Sequence, residues 1–245
     1  MTCRPLGDRP GGHEVEAIRR LEKAGLPVGD HIDLSWPPTC STSDLGLASA
    51  IARPSLEGPI LASYLASYEV TRLASGDLSG WSAEVDEVAR GLGLKVLGAV
   101  IQGLPQARAS GLSYSLDPVT GMKDVIVQSV LGLHLNLLRG AAPHDTFVIE
   151  RRGLSVLEVR VLWKPTALIV RGGRLAEVSL ADGWAQSIND EEAVIVARLT
   201  LRAEEVIGGP VELEWALEDV GLRVLGARLI PPELLPPPRP EGGQS

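Results

Sequence analysis

Gly111-Leu112-Ser113-Tyr114-Ser115-Leu116-Asp117-Pro118-Val119-Thr120-Gly121 is the stretch whose reading decides the fold of this 245-residue chain. Leu112 to Leu116 is strand-like, and Lys95 to Gln102 is a strand before it, joined through a loop around Pro105. Ninety positions after Gly121 comes Val211-Glu212-Leu213-Glu214-Trp215-Ala216, then Val224-Leu225-Gly226-Ala227-Arg228. Val211 to Ala216 alternates between two faces, Asp219-Val220-Gly221 supplies a turn, and Leu222 to Leu225 returns, so this segment reads as a hairpin. Residues two apart on a strand face the same way. Glu212 and Glu214 therefore share one side, and the return strand brings Arg228 near them.

Outward from these segments, a helix is expected from Glu14 to Ala24. Val15, Ile18 and Leu21 form one face, Glu16, Arg19, Arg20 and Lys23 lie outside, and Gly25 follows as a terminator. Residues 30 to 60, rich in Pro, Ser, Thr and Asp, read as loop with short irregular strands. Asp124 to Val130 reads as a strand, Thr146 to Ile149, Ser155 to Trp163 and Thr166 to Val170 as an antiparallel series, and Arg171-Gly172-Gly173-Arg174 as a turn. A helix begins at the cap residue Asn189, with Glu192 as its reciprocal partner. It runs to about Val206 on a buried stripe of Ala193, Val196, Ala197, Thr200 and Leu201.

Hydrophobic residues at 44% and charged residues at 22% are the balance of a folded chain, long enough for one large domain or two packed lobes. A net charge of -8 without a basic stripe argues against nucleic acid as a partner. No apolar run approaches the roughly 20 residues that span a bilayer, so no membrane partner is expected and a cytoplasmic location is. Cys3 and Cys40 suggest neither a disulfide framework nor a zinc site. His31 and His144 read as surface residues, His134 as a satisfied interior group, and the tryptophans as packing.

In this order, the three segments quoted first resemble the nucleotide-binding domain of the phosphoenolpyruvate synthase and pyruvate phosphate dikinase family. Further landmarks agree with it. Gly11-Gly12-His13, the helix, and Ala24-Gly25-Leu26-Pro27-Val28 are similar to the family's Gly-Gly-Lys opening and its Ala-Gly-Leu-Pro-Val-Pro. Ala52-Arg53-Pro54-Ser55 stands where the family has Val-Arg-Ser-Ser, Ala62 to Glu69 resembles its Ala-Ser-Phe-Ala-Gly-Gln-Tyr-Glu loop, and Val100-Ile101-Gln102 resembles its Val-Val-Gln.

The resemblance implies an α+β, two-lobed ATP-grasp fold with mixed or antiparallel sheets and packed helices. Residues 1–92 would form a shortened first lobe, 93–230 the second lobe, and 231–245 a proline-rich, disordered tail. It implies ATP and Mg2+ as ligands, with Arg53 and Arg228 as catalytic residues. His13, Arg53, Gln102, Glu214 and Arg228 would be the nucleotide-contacting set and Glu214 the metal-site residue; Glu212 is read as a surface residue.

Several positions depart from the family. His13 replaces the nucleotide-contacting lysine, Pro54 a serine, Gly226 a metal-binding glutamine and Leu229 the proline of Ala-Arg-Pro. Gln128 to Leu135 lacks the two acidic residues of the family's Glu-Ala-x-Trp-Gly-Leu-Gly-Glu. No phosphorylatable Thr-Ser-His-Ala or Thr-Cys-His-Ala segment is present, and there is no room for a pyruvate-binding barrel. Two functions follow. One is a phosphotransferase passing a phosphoryl group from Mg-ATP to a histidine on a separate chain, with separate histidine-carrying and pyruvate-binding subunits. The other is a catalytically degenerate ATP-grasp protein acting as a nucleotide-binding, regulatory or scaffold module.

Overall fold

Gly12 opens the first helix because only glycine fits there. Its φ is +78°, and a Cβ would lie 2.8 Å from the Ser55 carbonyl oxygen, so the helix N-terminus sits directly against a strand. The computed structural model describes residues 3–138 and 142–236. The helix is α1 (Gly12–Lys23), followed by β1 (Ile32–Ser35), β2 (Ala50–Glu57), α2 (Ile60–Val70), β3 (Arg72–Ala74), α3 (Ser79–Gly91) and β4 (Lys95–Gly103). The four strands form one antiparallel sheet ordered β1-β4-β2-β3. β3 pairs with β2 only at Ala50, Ile51 and Ala52, so Pro54 falls where β2 has no second neighbour and its missing N–H is tolerated. Leu34, Ala52, Val70, Leu78, Trp81, Val85 and Ile101 close a core between this sheet and α2 and α3.

The second lobe contains β5 (Ala109–Tyr114), β6 (Val125–Leu131), β7 (Asp145–Ile149), β8 (Val156–Arg160), β9 (Thr166–Arg171), β10 (Arg174–Ser179), α4 (Asp190–Ile207), β11 (Val211–Glu218) and β12 (Gly221–Leu229). Six strands make an antiparallel sheet ordered β12-β11-β5-β6-β7-β8, while β9 and β10 form a separate hairpin. Asn189 and Glu192 form the expected capping box on α4. α4 lays Ala193, Val196 and Ala197 against Val127, Phe147, Ile149 and Trp215. Leu201 of the expected stripe is only partly buried, and Ala203 is buried instead. In the decisive stretch, Gly111 lies so close to β6 that a Cβ would meet the Gln128 carbonyl oxygen at 1.8 Å. Asp117 then accepts hydrogen bonds from the Val119 N–H (2.8 Å) and the Thr120 hydroxyl (2.6 Å), which fixes Asp117 to Gly121 as a turn.

α1 binds the lobes together. Val15 and Ile18 pack with Leu6 and Val100 of the first lobe, and Leu21 packs with Ala203, Leu213, Val224 and Ala227 of the second. Burying each such aliphatic side chain contributes about 1.5–3 kcal/mol, so the helix is a hydrophobic bridge as well as part of the first lobe.

Several expectations are corrected. Residues 30 to 60 hold an eight-residue strand, β2, with one register shift against β4 at Ser55/Leu56, and α2 and α3 follow it. α2 buries Ser63, Ala66, Ser67 and Val70, a stripe of small residues that no apolar period announces. β4 pairs with β1 and β2 in the first sheet. Cys3 and Cys40 form a disulfide with Cα atoms 5.3 Å apart, because β1 and the loop after it bring the two thiols together. Disulfides persist in oxidising compartments and in intracellular proteins of hyperthermophiles, which bears on the cytoplasmic expectation. After Ile230, Pro232–Leu234 form a short 3-10 turn, and residues 237–245 of the expected tail lie outside the described residues. No helix among the described residues is long and apolar enough to cross a membrane.

Candidate functional site

On β11 the period of two turns Leu213 and Trp215 toward α4 and Glu212 and Glu214 toward the first lobe. β12 runs antiparallel with Glu212 opposite Arg228 and Glu214 opposite Gly226. In the first sheet, Arg53 lies opposite Val100 and Gln102 opposite Ile51, so Arg53 and Gln102 are diagonal neighbours on one face. The two faces close on each other. Arg53 donates to Gln102 Oε1 and, at 2.6 Å, to Glu214 Oε2, while Arg228 donates to Glu212 Oε1 at 2.9 Å and to Glu14 Oε1 of α1 at 2.7 Å. Arg53, Gln102, Glu212 and Glu214 are each no more than 1% exposed.

Glu214 is the centre of this network. Its Oε2 takes Arg53 and lies 3.3 Å from His134 Nε2; its Oε1 lies 2.7 Å from Arg228 Nη2, a charge contact too poorly aligned to be a hydrogen bond. Burial raises the Glu214 pKa, but Arg53 and Arg228 outweigh it and hold the carboxyl well below the usual carboxylate range. His134 Nδ1 lies 3.1 Å from Ser110 Oγ, whose own proton goes to the Gly132 carbonyl at 2.7 Å. His134 thus bridges Ser110 and Glu214 through its two ring nitrogens. The interior, satisfied reading of His134 holds, and its neighbour is the central carboxylate.

Glu212 is not a surface residue. The first lobe covers the β11 face that would otherwise be solvated, and Glu212 accepts from Tyr64 OH (2.8 Å) and Tyr68 OH of α2. The Tyr68 ring lies under the Arg228 guanidinium, 4.8 Å from its centroid. Burial first, and then the Glu212 charge, raise the pKa of Tyr64, Tyr68 and Tyr114.

The network joins two cavities. One of about 370 Å3 is lined by His13, Glu14, Ser63, Tyr64, Ser67 and Arg228, and one of about 300 Å3 by His31, Gln102, Gly103, Pro105, Arg223 and Leu225. His13 stands apart from the network, its Nε2 3.2 Å from the Gly58 carbonyl. Of the sequence-predicted residues, Arg53, Gln102, Glu214 and Arg228 therefore meet and His13 does not. Glu14, Tyr64, Tyr68 and His134 also belong to the network, unannounced by the sequence motifs. Only the tyrosines left a signal, a spacing of four that sets both on one helix face.

The donors present do not fit a magnesium ion. Mg2+ requires about six oxygens in near-octahedral array. Here both oxygens of Glu214 face guanidinium groups, Gly226 offers no ligand, and Glu14 and Glu212 are paired with Arg228. Among the described residues, no three His, Cys, Asp or Glu side chains are grouped to hold a metal. A phosphate would likewise meet arginines already neutralised, since three carboxylates face the two guanidinium groups.

Residues 93–230 match the family described as the pyruvate phosphate dikinase AMP/ATP-binding domain. The phosphoenolpyruvate synthase of Aeropyrum pernix is 29% identical over 176 residues, covering 60% of this chain and 20% of the relative. A rifampicin phosphotransferase of a Streptomyces species is 30% identical over 137 residues, covering 55% of this chain and 16% of the relative. The chain thus spans a fifth or less of these relatives. Among solved structures, a D-alanine–D-alanine ligase from Bacillus anthracis aligns with a TM-score of 0.43 at 10% identity, covering 89% of this chain and 56% of the ligase.

Proposed function

The chain belongs to the pyruvate phosphate dikinase AMP/ATP-binding domain family, and from that membership we propose that it is an ATP-grasp domain kept for nucleotide binding or regulation. In this reading its phosphoryl-transfer site is closed by its own ion pairs. The observation that carries the proposal is the pairing of both surviving arginines with buried carboxylates: Arg53 with Glu214, and Arg228 with Glu14 and Glu212. Phosphoryl transfer depends on cations that neutralise charge as it develops. Here those cations join the lobes. A nucleotide reaching from one cavity to the other would have to break the network, so the proposal includes weak binding that owes nothing to magnesium.

A second reading is favoured by the convergence of Arg53, Gln102, Glu214 and Arg228 at one place between the lobes. In it the domain passes a phosphoryl group from Mg-ATP to a histidine on a separate chain in the cytoplasm. Histidine-carrying and pyruvate-binding subunits would complete the reaction, with Glu214 as metal ligand. An ATP-cleavage assay separates the two readings. The first expects no AMP or phosphate release above background in the wild type and a gain in Mg-ATP affinity in the Gly226→Gln, His13→Lys double variant. Turnover by the wild type would overturn it in favour of the second.

A further inference from the structure

β8 is the outer strand of the six-stranded sheet, and among the described residues its one strand partner is β7. Its far edge is apolar and open. Leu157 is 57% exposed, Val159 is 37% exposed, and the surface continues through Leu162 and Trp163 to Trp184, whose ring meets Trp163 edge-on at 5.7 Å. An open strand with exposed apolar side chains is a template for another strand, and chains that must stay single usually blunt such an edge with charges, proline, a bulge or a cover. β8 carries a one-residue register shift against β7 at Val148/Ile149, and its charges are of opposite sign. β8 has no lysine or proline. Its charges are Glu158 and Arg160, two apart on one face and paired with each other, Arg160 Nη2 lying 3.0 Å from Glu158 Oε2.

We propose that β8 pairs edge to edge with β8 of a second copy of this chain, antiparallel about a two-fold axis at Val159. The charge pattern selects that occupant. In such a pair, residues equally far from the axis on either side stand opposite each other. Glu158 then faces Arg160 of the second copy, and Arg160 faces its Glu158, so the ion pair in each chain becomes a four-member cluster of alternating sign. Had both positions carried the same sign, the symmetry would have set like charges against each other. Leu157 and Val159 are covered by the same pairing, and the two sheets become one of twelve strands.

The test is the solution mass of the full chain, by light scattering on a sizing column and by sedimentation equilibrium. The wild type is expected at twice 26.0 kDa. Arg160→Glu sets four carboxylates together and should weaken dimerisation by about tenfold or more, whereas the Glu158→Arg, Arg160→Glu double variant keeps opposite signs in register and should restore it. Both positions are exposed, so neither change should unfold the chain, which a thermal melt checks. A wild type that stays at 26.0 kDa up to about 100 µM overturns the proposal. So does a dimer indifferent to Arg160→Glu, which would place the contact elsewhere. Neither result depends on the nucleotide site.

Discussion

Arg228 of β12 and Glu14 of α1, 214 positions apart in sequence, meet at 2.7 Å across the lobes. The same guanidinium serves Glu212 and approaches Glu214, so one side chain neutralises carboxylates from α1 and β11. Removing it should leave buried charge uncompensated. Arg228→Met is expected to destabilise the chain by about 3–5 kcal/mol in urea unfolding, with partial recovery in Arg228→Lys, which keeps the charge but loses the fork. A loss below about 1 kcal/mol, the range of exposed pairs, would mean that the network does not hold the lobes.

Glu214 gives the junction an acid limit. Its folded pKa is depressed, so its contribution is present above its ordinary value of 4.5 and is lost as pH falls below it toward the folded value. Measured by urea unfolding between pH 7 and pH 3, the gap in stability between wild type and Glu214→Gln should narrow as the solution is acidified. A gap that stays constant would contradict the depressed ionisation.

All three tyrosines of the chain, Tyr64, Tyr68 and Tyr114, have pKa values raised by burial and by Glu212. A raised folded pKa contributes stability that is full below the unfolded value of 10 and is lost as pH rises above it. An alkaline titration followed by phenolate absorbance should therefore show ionisation together with unfolding. A separate tyrosine step near the ordinary value, with the fold intact, would show that this layer is open to water.

Gly226 faces two buried polar atoms without hydrogen-bond partners. A Cβ placed there would lie 3.6 Å from Glu214 Oε1 and 3.7 Å from Arg53 Nε, ordinary contact distances. The hydroxyl of Gly226→Ser can donate to the carboxylate and accept from the guanidinium, and the added side chain restricts the unfolded chain. A gain of about 0.5–1.5 kcal/mol in urea unfolding is expected. A loss would mean that the strand pair cannot admit a side chain.

Elements with a strong local signal were legible in the sequence. The capping box at Asn189 and Glu192 and the alternation of Val211 to Ala216 specify α4 and β11 with no reference to the rest of the chain. α2 was not legible, because its buried stripe is serine and alanine up to the last residue, Val70. The meeting of Glu214 with Arg228 could be read from strand period and hairpin return. The burial of Glu212 could not, since it depends on a tyrosine pair from another lobe closing over a face that would otherwise be wet. Glu14 had no signal beyond its place in the first turn of a helix, where a carboxylate is at home in any protein. Its role is set by Arg228, at the far end of the chain.

The most direct test of the closed ion network is calorimetric titration of the full chain with ATP and a non-hydrolysable analogue, with and without magnesium, in the wild type and in Glu214→Ala. A network neutralised from within predicts weak nucleotide binding of the same affinity whether or not magnesium is present. Magnesium-dependent ATP binding in the wild type, tighter by about tenfold or more and abolished in Glu214→Ala, would contradict the account and establish Glu214 as a working metal ligand.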